Sequence, residues 1–162
     1  EGEAAVRAIM AIEVRSAKAA RRIPVREFFA PPTEARRVET TLGRDEVVAA
    51  VHVPRPVAGT RSVYLKAMER ATWAFATVSV AAAGRMQQGR LDEARVVLGG
   101  VASIPWPVHD AMQSLRGEPA EAQAIAAAAR AAVAAAEPLG MDGYKVPLAE
   151  ALIRRALHAP AA

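Results

Sequence analysis

The chain has 162 residues, of which 52% are hydrophobic and 23% charged, with a formal net charge of +4. That length suits one domain, or one domain with part of a second, and the balance suits a folded chain. There is no cysteine, which excludes a disulfide scaffold, a thiolate zinc site, a cysteine-ligated iron–sulfur cluster and a cysteine nucleophile within these residues.

Alanine supplies 40 residues and aromatic side chains only 4%, so the expected core is built from Ala, Val and Leu with few rings. Arginine outnumbers lysine 18 to 3, a pattern closer to coding bias than to a phosphate-binding device. The basic residues are scattered as pairs (Arg21–Arg22, Arg36–Arg37, Arg154–Arg155). Without a basic stripe or interleaved aromatics, nucleic-acid binding is not expected. The longest apolar stretches, residues 74–83 and 124–136, are too short or too interrupted to span a membrane. Glu1–Glu3 is not a basic leader. The chain opens on Glu1 and not on Met, as expected of a fragment.

Residues 2–10 read as the end of a helix or an ordered tail. Residues 11–15 and 22–26 read as two short strands, because Ile12, Val14, Ile23 and Val25 alternate with polar neighbours. Pro24 suggests a sheet edge. Residues 30–37, with Pro31-Pro32 and mixed charge, read as a linker and as the domain boundary. Residues 46–53 place Val47, Ala49, Val51 and Val53 in alternation and stop at Pro54, which predicts a strand. Residues 62–69 predict another strand, and residues 75–86 a small-residue strand. Gln88-Gly89 then makes a hairpin turn into residues 91–99, which Gly99-Gly100 breaks. The rest is helical: residues 108–115, 120–137 and 146–158. Strands followed by helices predict an α+β fold, an antiparallel sheet with helices packed on one face, preceded by a short β-hairpin.

The usual catalytic constellations are missing, and no catalytic residue is expected within this chain. His52, His109 and His158 lack metal-ligand spacing and read as structural or surface residues, so no metal site is expected. There is no G-x-S-x-G, P-loop or G-x-G-x-x-G motif. Asp45-Glu46 and Asp92-Glu93 are strand neighbours whose side chains should point to opposite faces, which argues against an acid/base dyad. The distinctive segment is residues 62–82, which runs from a strand through a polar and aromatic corner into a second strand. Pattern alone makes Lys66 a solvated strand residue, and makes Trp73 and Phe75 plugs of the core.

The run YLKAMERATWAFATVSVAAAG (residues 64–84), then DEARVVLGGVASIPWPVHDA (92–111), then YKVPLAEALIRRAL (144–157), resembles the FAD-binding subunit of molybdenum hydroxylases. That family includes the xanthine dehydrogenase, aldehyde oxidoreductase and carbon monoxide dehydrogenase flavoproteins. RRIPVREFF (21–29) and TTLGRDEVVAAVHVPRP (40–56) also resemble the end of its flavin domain and the start of its C-terminal domain. The likeness runs from about Arg21 to the end and is looser before it.

The resemblance implies a division at residues 1–30, a remnant of the FAD-binding domain, and residues 31–162, the C-terminal α+β domain. It implies FAD held mostly by a domain outside this chain. Molybdenum cofactor and iron–sulfur clusters would sit in partner chains, and electrons would pass from the clusters through FAD to an external acceptor. It further implies that this piece alone binds FAD poorly and is inactive. A cytoplasmic enzyme is expected, or a periplasmic one if the complex is exported. Carried over residue by residue, Lys66 matches a lysine that approaches the flavin ring, and Val48 an apolar residue that packs on it. Arg70, Thr72 and Trp73 match a loop bordering the ring. Animal members carry an acidic residue where this chain has Trp73, which puts NAD⁺ use in doubt. Tyr64, Gly99, Gly100, Pro105 and Tyr144 read as structural. The alternative is a non-catalytic docking domain for the molybdenum and iron–sulfur subunits, with the Ala-rich helix as its surface.

Overall fold

The computed structural model describes residues 11–70 and 72–161, so the expected helix end at residues 2–10 lies outside the described residues. The chain forms two compact units, divided in sequence between Pro56 and Val57.

In the first unit, β1 (Ala11–Arg15) is the central strand of a three-stranded antiparallel sheet. It pairs with β2 (Ala20–Pro24) on one side and β3 (Val47–His52) on the other. Ile12, Val14 and Ile23 are buried with Phe28, and the rings of Phe28 and Phe29 meet edge to face at 5.2 Å. The expected strand over residues 22–26 is shorter than predicted. After Pro24 the chain turns into a four-residue helix, α1 (Val25–Phe28), which puts Phe28 into the core.

Residues 30–37 do not run free. Ala30 N–H donates to Glu39 O at 3.0 Å, and Thr41 N–H to Phe28 O at 2.8 Å. Arg36 reaches back to the carbonyls of Pro31 (2.7 Å) and Thr40 (3.1 Å). The proline stretch is therefore a closed loop of the first unit, and the division of the chain falls after it, at Pro56–Val57. β3 belongs to the sheet of β1, not to the larger sheet. Its alternation correctly marked a strand, yet Val47, Val48 and Val51 are exposed and only Ala50 and His52 are half-buried. Alternation reveals a strand's periodicity but not which sheet it joins.

The first unit is pinned by Arg21 on β2, which forks onto Glu46 with two bonds of 2.8 Å. Gly43 N–H adds a third at 2.7 Å. The guanidinium, then the Gly43 amide, hold the Glu46 carboxyl at about 2 against an ordinary 4.5. On β1, Glu13 accepts from Arg15 (2.8 Å) and contacts His52 Nε2 at 3.0 Å. Arg15 first and His52 second lower its carboxyl below the usual range.

In the second unit, β4 (Thr60–Ala67), β5 (Val78–Gln87), β6 (Arg90–Gly99) and the short β7 (Trp106–Pro107) form an antiparallel sheet in that order. The β5–β6 hairpin turns on Gln88 and Gly89, both with positive φ (52° and 75°), as a two-residue primed turn demands. Three helices follow: α2 (His109–Gln113), α3 (Ala122–Val133) and α4 (Lys145–Ala161). One face of the sheet, with Val80, Ala82, Val96 and Leu98, packs against Leu115, Ile125, Ala128, Ala129, Ile153 and Leu157 in a single core. Alanine at 128, 129 and 156 lets helix and sheet approach closely. None of the buried residues in this core is aromatic, as the composition predicts. The fold is thus α+β, with helices on one face of an antiparallel sheet and a hairpin before it.

The Glu46 carboxyl is more acidic folded than unfolded, so its contribution to stability is full above pH 4.5 and disappears as pH falls toward 2. Glu46→Gln should flatten the acid limb of a stability-against-pH profile; an unchanged limb would show that the pair adds nothing. Ile153 is fully buried, and Ile153→Ala should cost about 2–5 kcal/mol in denaturant unfolding.

Candidate functional site: the open face of the second sheet

Strand pairing dictates what the sheet shows on the face away from the helices. Lys66, Ser79 and Gly99 lie in one row across β4, β5 and β6, and Tyr64, Ala81 and Val97 in the next. On the middle strand this face carries Ser79, Ala81 and Ala83 before Arg85, so the sheet is low beside its first rows. Tyr64, Ser79, Ala81, Val97 and the loop from Gly99 to Pro105 line a cavity of about 360 Å³ there. Lys66 stands exposed at the β4 side of the same row. Ser79 is buried within this floor, at 7% exposure, and Lys66 is the exposed cation at its edge.

The end of the sheet beside this floor is built by three segments: the loop after β4, the start of α4 and the break after β6. The loop after β4 closes where Thr77 N–H donates to Ala67 O at 2.9 Å. Within it, Arg70 donates to the Trp73 carbonyl at 3.1 Å, and Trp73 takes a left-handed backbone (φ 54°). A second cavity, of about 380 Å³, is lined by Arg70, Trp73, Phe75, Thr77, Tyr144 and Lys145 among others. The third segment is the break after β6. Gly100 has φ +76°, and a Cβ there would lie 2.8 Å from Thr77 O and 2.9 Å from Ala76 O.

The expectation that Trp73 and Phe75 plug the core is overturned: they are 93% and 100% exposed. The core is already filled by Ala, Val, Leu and Ile, and the left-handed Trp73 backbone turns that side chain outward. Every aromatic residue of the second unit is exposed: Tyr64, Trp73, Phe75, Trp106 and Tyr144. Three of them, Trp73, Phe75 and Tyr144, line the same cavity, and exposed apolar side chains that cluster in this way are a feature of binding surfaces.

Of the residues singled out from the sequence, Arg70 and Trp73 are bonded together in the second unit. Lys66 precedes their loop by a single strand residue, and Thr72 is exposed within it. Val48 is exposed on β3 of the first unit. Lys145 was missed. Its Nζ donates to the Gly100 carbonyl at 2.9 Å, across 45 residues. The available signal was its rarity, since it is one of three lysines.

The acidic pair Asp92-Glu93 departs from simple alternation, because a bulge at Arg85/Met86 leaves Asp92 without an opposite partner. Both carboxylates are taken up by arginines, Asp92 by Arg85 and Glu93 by Arg95. Neither is available as a general acid or base. Among the described residues no group of three or more His, Asp or Glu could hold a metal ion. No described helix is long and apolar enough to cross a membrane.

Gly100→Ala should lower stability by about 1–3 kcal/mol, since it combines positive φ with a backbone clash. Thermal unfolding followed by circular dichroism reads this as a midpoint several degrees lower; an unshifted midpoint would mean the junction yields freely.

Comparison with known proteins agrees with this architecture. The chain is 35% identical over 130 residues to the aldehyde oxidoreductase FAD-binding subunit PaoB of Escherichia coli, covering 80% of this chain and 37% of that protein. It is 32% identical over 124 residues to the carbon monoxide dehydrogenase medium chain of Hydrogenophaga pseudoflava, covering 74% and 43%. It superposes on a solved carbon monoxide dehydrogenase from Hydrogenophaga pseudoflava, one that lacks the Mo-pyranopterin moiety of its molybdenum cofactor. That match has a TM-score of 0.84 at 28% identity, over 97% of this chain and 54% of the other. The chain therefore spans about half the length, or less, of the relatives it matches. The family model of the CO dehydrogenase flavoprotein C-terminal domain matches residues 63–159, which is the sheet and helices of the second unit, and the chain belongs to that family.

Proposed function

We propose that this chain is the C-terminal part of the FAD-binding subunit of a molybdenum-dependent hydroxylase of the aldehyde oxidoreductase or xanthine dehydrogenase type. In this reading the open face of the second sheet encloses the flavin ring. Electrons arrive from iron–sulfur clusters in one partner subunit, after substrate oxidation at the molybdenum cofactor of another, and leave to an external acceptor. The observation that carries it is the floor of small residues, Ser79, Ala81 and Gly99, flanked by Tyr64 and Lys66, with exposed Trp73 in the loop that follows β4.

The residues present fit one part of FAD and not the other. The flat floor and the cation suit the tricyclic ring. The sequence holds neither a P-loop nor a G-x-G-x-x-G turn for the diphosphate. Bound flavin supplies the electron-carrying chemistry. The chain's own part is to cover, orient and polarise: Lys66 favours added negative charge beside it, while Arg70, Thr72 and Trp73 form a border that restricts what reaches the ring. Trp73 in place of an acidic residue favours an acceptor other than NAD⁺. Val48, exposed on β3, is a candidate ring contact belonging to the first unit.

The start of the chain, residues 1–30, is proposed as the closing piece of the flavin-binding domain, with residues 31–162 leading into and forming the C-terminal domain. The piece by itself should be inactive and hold little FAD. A cytoplasmic complex is the simplest setting, with export to the periplasm as the other.

A docking role is favoured by Leu139 and Met141, which are 80% and 95% exposed just before α4. The Ala-rich helix α3 is a weaker docking surface, because Ile125, Ala128 and Ala129 spend its apolar face on the chain's own core.

In the complete enzyme, Lys66→Met should slow flavin reoxidation by about tenfold, read by stopped-flow absorbance, with molybdenum-site turnover to an artificial acceptor retained. Reoxidation at the original rate would take Lys66 out of the site. Leu139→Glu with Met141→Glu should weaken assembly with the partner subunits in size-exclusion chromatography without loss of FAD; full assembly would dismiss the docking role.

A further inference from the structure

We infer that Lys145 is a positioning residue for the flavin-facing end of the second sheet: its ammonium clamps the Gly100 carbonyl and thereby ties a residue lining one cavity to a residue lining the other. This rests on the reading of that face as a flavin site.

Lys145 is the first residue of α4, where the helix dipole disfavours a cation. No acidic residue sits in that first turn to offset it. A lysine placed there against its electrostatic preference needs a compensating acceptor, and the 2.9 Å bond to Gly100 O provides one. The acceptor is itself constrained. Gly100 is wedged against the carbonyls of Ala76 and Thr77, which lie 2.9 and 2.8 Å from where its Cβ would stand. Thr77 in turn closes the Trp73 loop through its bond to Ala67.

One contact therefore ties three segments: the start of α4, the break after β6, and the loop that carries Trp73. Gly100 lines the cavity over the small-residue floor, and Lys145 lines the cavity beside Trp73 and Tyr144. Movement of the Gly100 carbonyl would alter both cavities at once. Lys145 is thus expected to act on the flavin environment through geometry, not by touching the ring.

The test uses the complete flavin subunit carrying FAD, with Lys145→Met, Lys145→Arg and Lys66→Met compared. Lys145→Met should speed FAD release about fivefold and shift the visible flavin spectrum. Amide hydrogen exchange should rise in residues 74–77 and 100–105 with or without FAD. Lys145→Arg, which keeps a charged donor, should recover at least half of the change in FAD release. Unaltered exchange in both segments, or an unaltered FAD release rate and spectrum alongside a responsive Lys66→Met, would overturn the positioning role alone. If neither lysine variant changes the flavin while Lys145→Met still raises exchange, the clamp stands as structure and the flavin reading of the face is what fails.

Discussion

The packing of β5 against the helices sets the terms for everything else in the second unit. β5 is paired along its length to β4 on one edge and to β6 on the other. Its buried side, Val78, Val80 and Ala82, meets a layer in which alanine recurs at 128, 129, 149 and 156. A layer of small side chains brings α3 and α4 close to the sheet and leaves no volume for rings. The aromatic residues of this unit must then be outside, and an exposed aromatic is tolerated where a surface is meant to be covered. The same strand is small on its other side, with Ser79, Ala81 and Ala83, so one strand makes both a tight core and a low, open floor.

How far the sequence could be read follows from this. The β5–β6 hairpin was legible because its period-2 pattern and the Gln88-Gly89 turn are local signals. The helices were legible from composition and spacing. The destination of Val47–His52 was not, since alternation is the same whichever sheet a strand joins. Nor was the fate of Trp73 and Phe75. An aromatic at a strand corner usually packs inward, and only the fully occupied Ala/Val/Leu core shows that there was no room. Of the site, Lys66, Arg70, Thr72 and Trp73 lie within eight residues of one another and could be named from one segment. The Lys145–Gly100 bond spans 45 residues, and no local pattern announces it.

The two units solve the problem of holding loops differently. In the first, charge does it: Arg21 forks onto Glu46, and Arg36 collects two carbonyls of a proline-rich loop. A fork suits these places because each offers two acceptors. In the second, single bonds to backbone carbonyls do it, from Thr77 N–H to Ala67, from Arg70 to Trp73 and from Lys145 to Gly100, with Gly100 seated where a Cβ would strike the carbonyls of Ala76 and Thr77. The arginine-rich composition thus serves stability in the first unit and in the Arg85–Asp92 and Arg95–Glu93 pairs of the sheet.

Against that background the lysines are informative. Two of only three, Lys66 and Lys145, belong to the same end of the second sheet. An ammonium is a compact charge on a flexible stem, whereas a guanidinium is a planar fork that favours paired acceptors. Gly100 presents a single carbonyl in a narrow junction, a geometry that an ammonium meets with one donor. On the open face, Lys66 stands beside Ser79 and opposite no carboxylate across β5, so its charge is not spent on an internal pair. In a chain where arginine is the default cation, a lysine without a carboxylate partner among the described residues at Lys66, and one committed to a backbone carbonyl at Lys145, argue for position-specific roles. In the proposed reading the first is electrostatic, directed outward at whatever covers the floor. The second is mechanical, keeping that floor and its aromatic border in register.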